Sequence, residues 1–184
     1  MIRSITHFPY LTPGLGVPVF AEEGGCPACG SVNNDIYGDH SIGCASQGER
    51  IARHNQLRDA LFHAAASAAL APLREERALL PGVGGDQRPA DVLLPHGAGG
   101  LHQALDISVV SSLQTQLVDK AADQPGSALQ NRFTQKWNKY GDACKAEGIV
   151  FTPMPVEVLG GWGESGIQVV KRLGTALARH SGQE

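Results

Sequence analysis

The chain has 184 residues, a length that fits one domain with a small appendage and is sufficient to bury a hydrophobic core. Its net charge is −3 and its pI is near 6.1, which excludes a protein whose whole surface attracts nucleic acid. No apolar run approaches the roughly 20 residues that span a bilayer, and the first ten residues lack the apolar core of a signal peptide. We therefore expect a soluble intracellular protein that has no membrane partner.

Residues 1–23 carry prolines and glycines without a helical period, and we expect an extended lead-in. Residues 24–46 then contain Cys26, Cys29, His40 and Cys44, a C-x2-C pair followed by H-x3-C. This spacing is typical of a tetrahedral zinc site, and four protein ligands indicate a structural rather than a catalytic ion. Cysteines of an intracellular protein also favour metal binding over disulfides. The alternative is that the four residues are coincidental and that two cysteines are small core residues.

Residues 47–184 are predicted to form the main domain. Its clearest element is a helix from Gly48 to Pro72, with a wide apolar face rich in alanine and leucine. Arg53, His54 and Asn55 are three consecutive polar residues near its start. A lone histidine in such a position is more often a hydrogen-bonded structural residue than a catalyst, and we expect positioning roles for all three.

Two aspartates each stand at the start of a short apolar run that predicts a strand. Asp91 precedes Val-Leu-Leu, Asp106 precedes Ile-Ser-Val-Val, and the turn residues between the runs predict a hairpin. Pairing in the hairpin would bring the two carboxylates together, and a hard divalent cation is the usual way to hold such a pair. The alternative makes Asp91 a turn residue and Asp106 a solvated strand residue.

The remaining segments complete an α/β pattern. We predict a first strand at Ala78–Leu80, a short helix within 111–123, a helix at Ser127–Glu147, an edge or bulged strand at Ile149–Leu159 because of Pro153 and Pro155, and a last helix around Ile167–Leu177. On the second long helix Lys136 and Tyr140 share a face, and Lys139 is offset from it. Glu75 is a candidate third carboxylate, although a solvated charge run is the simpler interpretation.

The order of these motifs resembles the restriction-like endonuclease domain of site-specific non-LTR retrotransposons. The resemblance covers roughly residues 24–147 and rests on the Cys-Cys-His-Cys cluster, Arg53-His54-Asn55, Pro89-x-Asp91, fourteen residues, Asp106, and Lys136-x3-Tyr140. In that family the domain follows the reverse transcriptase and is preceded by a CCHC zinc knuckle. The resemblance implies a PD-(D/E)XK restriction-endonuclease-like core, α-β-β-β-α-β, and nuclear action on DNA.

The resemblance also implies residue roles. Asp91 and Asp106 would bind Mg²⁺ or Mn²⁺, Lys136 or Lys139 would be the catalytic lysine, and Tyr140 would orient that lysine or contact the phosphate. The nucleic-acid-binding candidates are Arg53, His54, Asn55 and Arg88, and the zinc ligands are Cys26, Cys29, His40 and Cys44. The reaction implied is the nick that primes reverse transcription.

Two positions depart from the family pattern. Ala90 separates the proline from Asp91, and Ser108 stands two residues after the second acid, where most nucleases of this fold carry a lysine. The same retrotransposon family moves its lysine to the following helix. Three functions therefore stay open: a Mg²⁺-dependent endonuclease, a degenerate nuclease-fold module that binds DNA or a protein partner, and an unrelated zinc-stabilised interaction domain. The last of these would need Asp91 and Asp106 to lie far apart.

Overall fold

The computed structural model describes residues 17–30, 35–44, 47–74, 79–80, 88–114 and 116–182. Five α-helices and four strands lie in this part of the chain. In chain order they are α1 (Asp39–Gly43), α2 (Gln47–Ser67), β1 (Leu73–Arg74), β2 (Val92–Leu94), β3 (Gln103–Val110), α3 (Val118–Asp123), α4 (Ser127–Ala146), β4 (Val150–Glu157) and α5 (Glu164–Ser181). The mixed α/β class is confirmed. None of the described helices is both long and apolar enough to cross a membrane.

The four strands form one sheet in the order β1-β2-β3-β4. β1 and β2 pair antiparallel, β2 and β3 form the predicted hairpin with Val92 opposite Leu105, and β4 returns parallel to β3. The return connection contains α4, as parallel strands require a long crossover. Because β2 has three residues and β3 has eight, the second half of β3 lacks β2 as a neighbour on that side.

The two faces of the sheet bury different helices. One core cluster joins α2 and α5 to the sheet through residues such as Leu61, Ile107 and Val169. The opposite cluster joins α4 to the sheet, with Tyr140 and Cys144 packed on Phe151 and Ala104. Alternation along β3 therefore directs residues 104, 106 and 108 toward α4 and residues 105 and 107 toward α2 and α5.

β4 is an edge strand, as its prolines predicted. Proline has no N–H to donate, so Pro153 and Pro155 are compatible with the outer edge of the sheet. Their carbonyls are satisfied by the start of α5: Ser165 Oγ donates to Pro153 O, and Gly163 N–H donates to Pro155 O at 3.0 Å. The first turn of α5 thus covers the edge that the prolines leave without strand partners.

Two boundaries differ from the sequence predictions. The helix predicted to continue to Pro72 ends at Ser67, because Ala69 and Ala71 adopt positive φ angles of 57° and 47° that are incompatible with helix. The first strand predicted at residues 78–80 was wrong. β1 lies at Leu73–Arg74, Leu79 and Leu80 form a bend, and residue 78 lies outside the described residues. Leu80 is buried in the α4-side cluster without joining the sheet.

A substitution in the turn of the β2–β3 hairpin tests the strand register that aligns the two aspartates. A Cβ added at Gly97 would collide with Gln103, whose side chain is buried and donates to Thr152 Oγ1 at 2.8 Å. We expect Gly97→Ala to lower the free energy of unfolding by about 1–3 kcal/mol, the usual range for overpacking. Urea unfolding followed by circular dichroism measures the change.

Gly174 provides the matched control, because it lies within α5 with open space around its missing Cβ. Gly174→Ala should be neutral or raise the free energy of unfolding by about 0.5–1 kcal/mol through helix propensity. Equal effects of the two substitutions would contradict the tight turn.

Candidate carboxylate site and cysteine–histidine cluster

The structure brings Asp91 and Asp106 together at the point where β2 begins. Asp91 N–H donates to Leu105 O at 2.9 Å, and its carboxylate Oδ2 accepts the Ile107 N–H at 2.7 Å. The Asp91 side chain thus supplies a hydrogen-bond acceptor to β3 at the point where β2 no longer pairs with β3. Because the N–H and C=O of a strand residue leave on the same side, the Ile107 carbonyl is directed to the same edge.

α2 supplies a second partner to Asp91. His54 Nε2 lies 3.2 Å from Asp91 Oδ2, and His54 Nδ1 lies 3.4 Å from Asn55 Oδ1. Hydrogen bonding to Asp91 raises the pKa of His54, against the opposing effect of burial. The histidine predicted to have a positioning role is therefore in contact with the first acid.

Asp106 lies on the α4 side of β3, where 4% of its side chain is exposed. Lys136 reaches it from α4, with Nζ at 2.9 Å from Oδ1. Burial raises the pKa of Asp106 to about 6, although Lys136 acts in the opposite direction, and the nearby charge of Asp91 raises it further. Within the described residues, Asp106 Oδ2 is buried and has no hydrogen-bond partner.

Ser108 continues the same face of β3 two residues beyond Asp106. It is buried, and its Oγ also lacks a hydrogen-bond partner within the part of the chain that the structure describes. The position two residues after Asp106 therefore holds a small, buried hydroxyl. The positive charge beside Asp106 comes from Lys136, which approaches it from α4.

Other residues inferred from the resemblance have different contacts or positions. Lys139 Nζ lies over the Tyr140 ring, 4.7 Å from its centroid, and Tyr140 is buried against Phe151. Arg88 is exposed on the segment that leads into Asp91, whereas Glu75 lies outside the described residues.

The inserted Ala90 has a packing explanation. It is completely buried in the α4-side cluster, next to the buried Pro89. The small side chain therefore fills the core immediately before Asp91 without displacing the aspartate from β3.

The cysteine–histidine cluster forms around α1. Cys26, Cys29, His40 and Cys44 each offer one ligand atom, and all four atoms lie within 4.8 Å of one another. Cys26 Sγ and Cys44 Sγ are 3.8 Å apart, close to the roughly 3.8 Å between sulfur ligands of a tetrahedral zinc ion with bonds of about 2.3 Å. The backbone N–H groups of Cys29 and Ala28 lower the pKa of Cys26 to about 6, which favours the thiolate that binds metal. These residues could hold a metal ion such as zinc.

Arg53 connects this cluster to α2. Its guanidinium donates to Ser41 O and Ile42 O at 3.3 Å each, and to Cys44 O at 3.0 Å. These carbonyls lie at the C-terminal end of α1, where a helix leaves acceptors without partners. The three consecutive polar residues Arg53, His54 and Asn55 in an apolar helix predicted positioning roles, but not that Arg53 and His54 contact different parts of the protein.

Two comparisons with known proteins found no relative of this chain. No protein-family model matches the chain, and no curated protein matches it significantly.

The buried Asp106 predicts an unusual stability effect for the metal-free site. A carboxyl with a pKa of about 3.8 unfolded and about 6 folded favours folding only while protonated, so stability falls as the pH rises between these values. We expect Asp106→Asn to stabilise the fold by roughly 3 kcal/mol at pH 8 and by about half as much at pH 5. Urea unfolding at both pH values, without divalent ions other than zinc, measures the difference.

Asp91→Ala is the matched comparison and should lower the free energy of unfolding, whereas Asp106→Asn should raise it. It leaves the Ile107 N–H without its acceptor, which costs about 1–3 kcal/mol when the group is buried. If both substitutions destabilise the protein equally, Asp106 does not carry the unfavourable burial described above.

The cysteine cluster predicts one tightly bound zinc ion per chain. Cys44→Ala should abolish stable zinc binding and lower Tm, because it removes a buried ligand. Cys144→Ala is the control, since Cys144 is buried in the α4-side core away from the cluster. Zinc content by atomic absorption after gel filtration distinguishes the two variants, and zinc retained by Cys44→Ala would contradict the assignment.

Proposed function

We propose that this chain is a divalent-metal-dependent DNA endonuclease domain with a PD-(D/E)XK-like core and an N-terminal zinc knuckle. The observation that carries the proposal is the set of four side chains at the β2–β3 edge: Asp91 with His54, and Asp106 with Lys136. The strand order and the parallel β4 are compatible with such a core. The order of motifs described for retrotransposon endonucleases supports the same function.

The residues fit a hard divalent cation. Asp106 Oδ2 is a buried carboxylate oxygen without a partner in the described residues, which is costly unless a ligand satisfies it. Asp91 and the Ile107 carbonyl lie at the same edge, and oxygen donors of this kind suit Mg²⁺ and Mn²⁺. When bound, the ion would polarise the scissile phosphate and lower the pKa of a water molecule.

Hydrolysis would join the water oxygen to phosphorus and break the P–O3′ bond. The bonding electron pair stays on O3′, which takes a proton from water, while the attacking water releases its proton to solvent. The products are a 5′-phosphate and a 3′-hydroxyl, the end that a reverse transcriptase extends. Lys136 would stabilise the negative charge that develops on the phosphate, since its ammonium is already directed at the carboxylate site.

The biological setting we propose is a non-LTR retrotransposon protein acting in the nucleus. The partners would be target DNA and the reverse transcriptase portion of a longer polypeptide. A net charge of −3 provides no general attraction to DNA, so target choice would depend on local basic residues such as Arg88 or on that partner. Nicking there would prime reverse transcription.

A second candidate function is a nuclease-fold module that binds DNA or protein without cutting. Ser108 favours it, because a hydroxyl replaces the lysine of many related sites. The acidic net charge is compatible with a docking role as well. The Lys136–Asp106 contact favours the catalytic function, because it places a cation beside the second acid from a different element.

Nicking of supercoiled plasmid by zinc-loaded protein with Mg²⁺ or Mn²⁺ tests the proposal. Asp106→Asn should reduce the rate by at least about 100-fold, and Lys136→Ala by on the order of 100-fold. Lys139→Ala should retain most activity, because its ammonium lies over Tyr140. Lys145→Ala removes a lysine from the last turn of α4 and is the control for the loss of one positive charge from that helix.

Absence of nicking by folded, zinc-loaded wild-type protein would favour the binding module. In that case a gel-shift assay with Asp91→Ala distinguishes a docking surface that uses the carboxylate edge from one that does not. Nicking that persists in Asp106→Asn would place the chemistry elsewhere in the chain.

A further inference from the structure

Three consecutive residues of α2 contact two different parts of the protein. Arg53 donates to the three carbonyls at the end of α1, within the cysteine cluster. His54 contacts Asp91 Oδ2 at 3.2 Å, and Asn55 Oδ1 lies beside the other nitrogen of the imidazole. One turn of α2 therefore contacts the cysteine–histidine cluster, here called the zinc knuckle, on one side and Asp91 on the other.

Two donors from different elements contact the Asp91 carboxylate. Within the described residues, both hydrogen bonds that the Asp91 carboxylate accepts go to Oδ2: one from the Ile107 N–H and one from His54. The sheet fixes the first donor, and α2 carries the second. Together they set the rotation of the carboxylate and leave Oδ1 as the oxygen available to a ligand.

Among the side chains of α2 that the structure describes, the contacts with the hydrophobic core lie in the later turns. Leu57, Leu61 and Ala65 anchor the later turns in the core. Before Leu57, Arg50, Ala52 and Ile51 are exposed, with Ile51 58% exposed, whereas Arg53, His54 and Asn55 are partly buried. The three contacts of Arg53 with the knuckle are therefore a main constraint on the turn that carries His54.

We propose that Arg53, His54 and Asn55 couple the zinc knuckle to the carboxylate site. The metal-loaded knuckle holds the start of α2 through Arg53, and the helix holds Asp91 through His54 in the orientation that binds a divalent ion. The three are positioning residues. This coupling rests on the proposed Asp91–Asp106 metal site, and it assigns the knuckle a role in building that site.

The first test compares two substitutions of His54 by their Mn²⁺ affinity, measured by water-proton relaxation at pH 8. His54→Ala removes the donor to Asp91, whereas His54→Gln keeps an N–H at nearly the same reach, and both remove the imidazole. We expect His54→Ala to bind Mn²⁺ about tenfold more weakly than His54→Gln. This is the usual loss of affinity when the hydrogen-bond partner of a metal ligand is removed. Equal affinities would overturn the positioning role of His54.

The second test asks whether the knuckle acts through Arg53. Arg53→Ala and removal of zinc should each weaken Mn²⁺ binding by about tenfold, and their combination should be little worse than either alone. Mn²⁺ disfavours thiolate ligands, so the empty knuckle does not account for the signal. Arg50→Ala and His63→Ala, both exposed on α2, should bind as wild type does.

A measurement without divalent ion separates this inference from the proposed function. In ¹⁵N-labelled protein, zinc removal and Arg53→Ala should each shift the His54 ring nitrogens in the direction that Asp91→Ala shifts them. Unchanged His54 resonances in zinc-free, still folded protein would overturn the coupling even if Mn²⁺ binds. Shifted resonances together with no Mn²⁺ binding by wild type would overturn the carboxylate metal site and keep the link between knuckle and Asp91.

Discussion

Burial of the Asp106 carboxylate is the constraint around which the candidate site is arranged. Removing a charged carboxylate from water is costly unless other groups replace its hydration. Here Lys136 satisfies one oxygen, and the second oxygen has no partner in the described residues. The sheet and α4 tolerate this because the surrounding core is anchored by Tyr140, Cys144 and Phe151, which do not depend on the charge.

The short β2 explains why a site forms at this edge. β2 pairs with β3 only as far as Leu105, and β4 pairs with β3 on the other side, so the Ile107 N–H on the β2 side needs another acceptor. The Asp91 carboxylate takes that place. The sheet thereby fixes the Asp91 side chain next to Ile107, and Asp106 precedes Ile107 on β3. Helices on opposite faces of the sheet then each contribute one nitrogen group, His54 from α2 and Lys136 from α4.

The order of elements was predictable, because the long helices and the hairpin have clear apolar periods and turn residues. Short elements were not. β1 has two residues, too few for any alternation, and the apolar residues assigned to it, Leu79 and Leu80, serve as a bend that packs into the core. The end of α2 was also missed, since nothing in an alanine predicts the positive φ angles of Ala69 and Ala71. These angles come from the need to return the chain to the sheet.

The residue types of the candidate site could be predicted from the sequence, whereas the contacts between its side chains could not. The contact between His54 and Asp91 joins residues 37 positions apart, and no local spacing encodes it. The contact of Lys136 with Asp106 is different, because the helical spacing indicates which of Lys136 and Lys139 faces the sheet. Lys136, Tyr140 and Cys144 are four residues apart, and the last two are buried. A lysine on a buried stripe requires a buried acceptor on the opposing sheet face, and on the described α4 side of β3 the carboxylate at that position is Asp106.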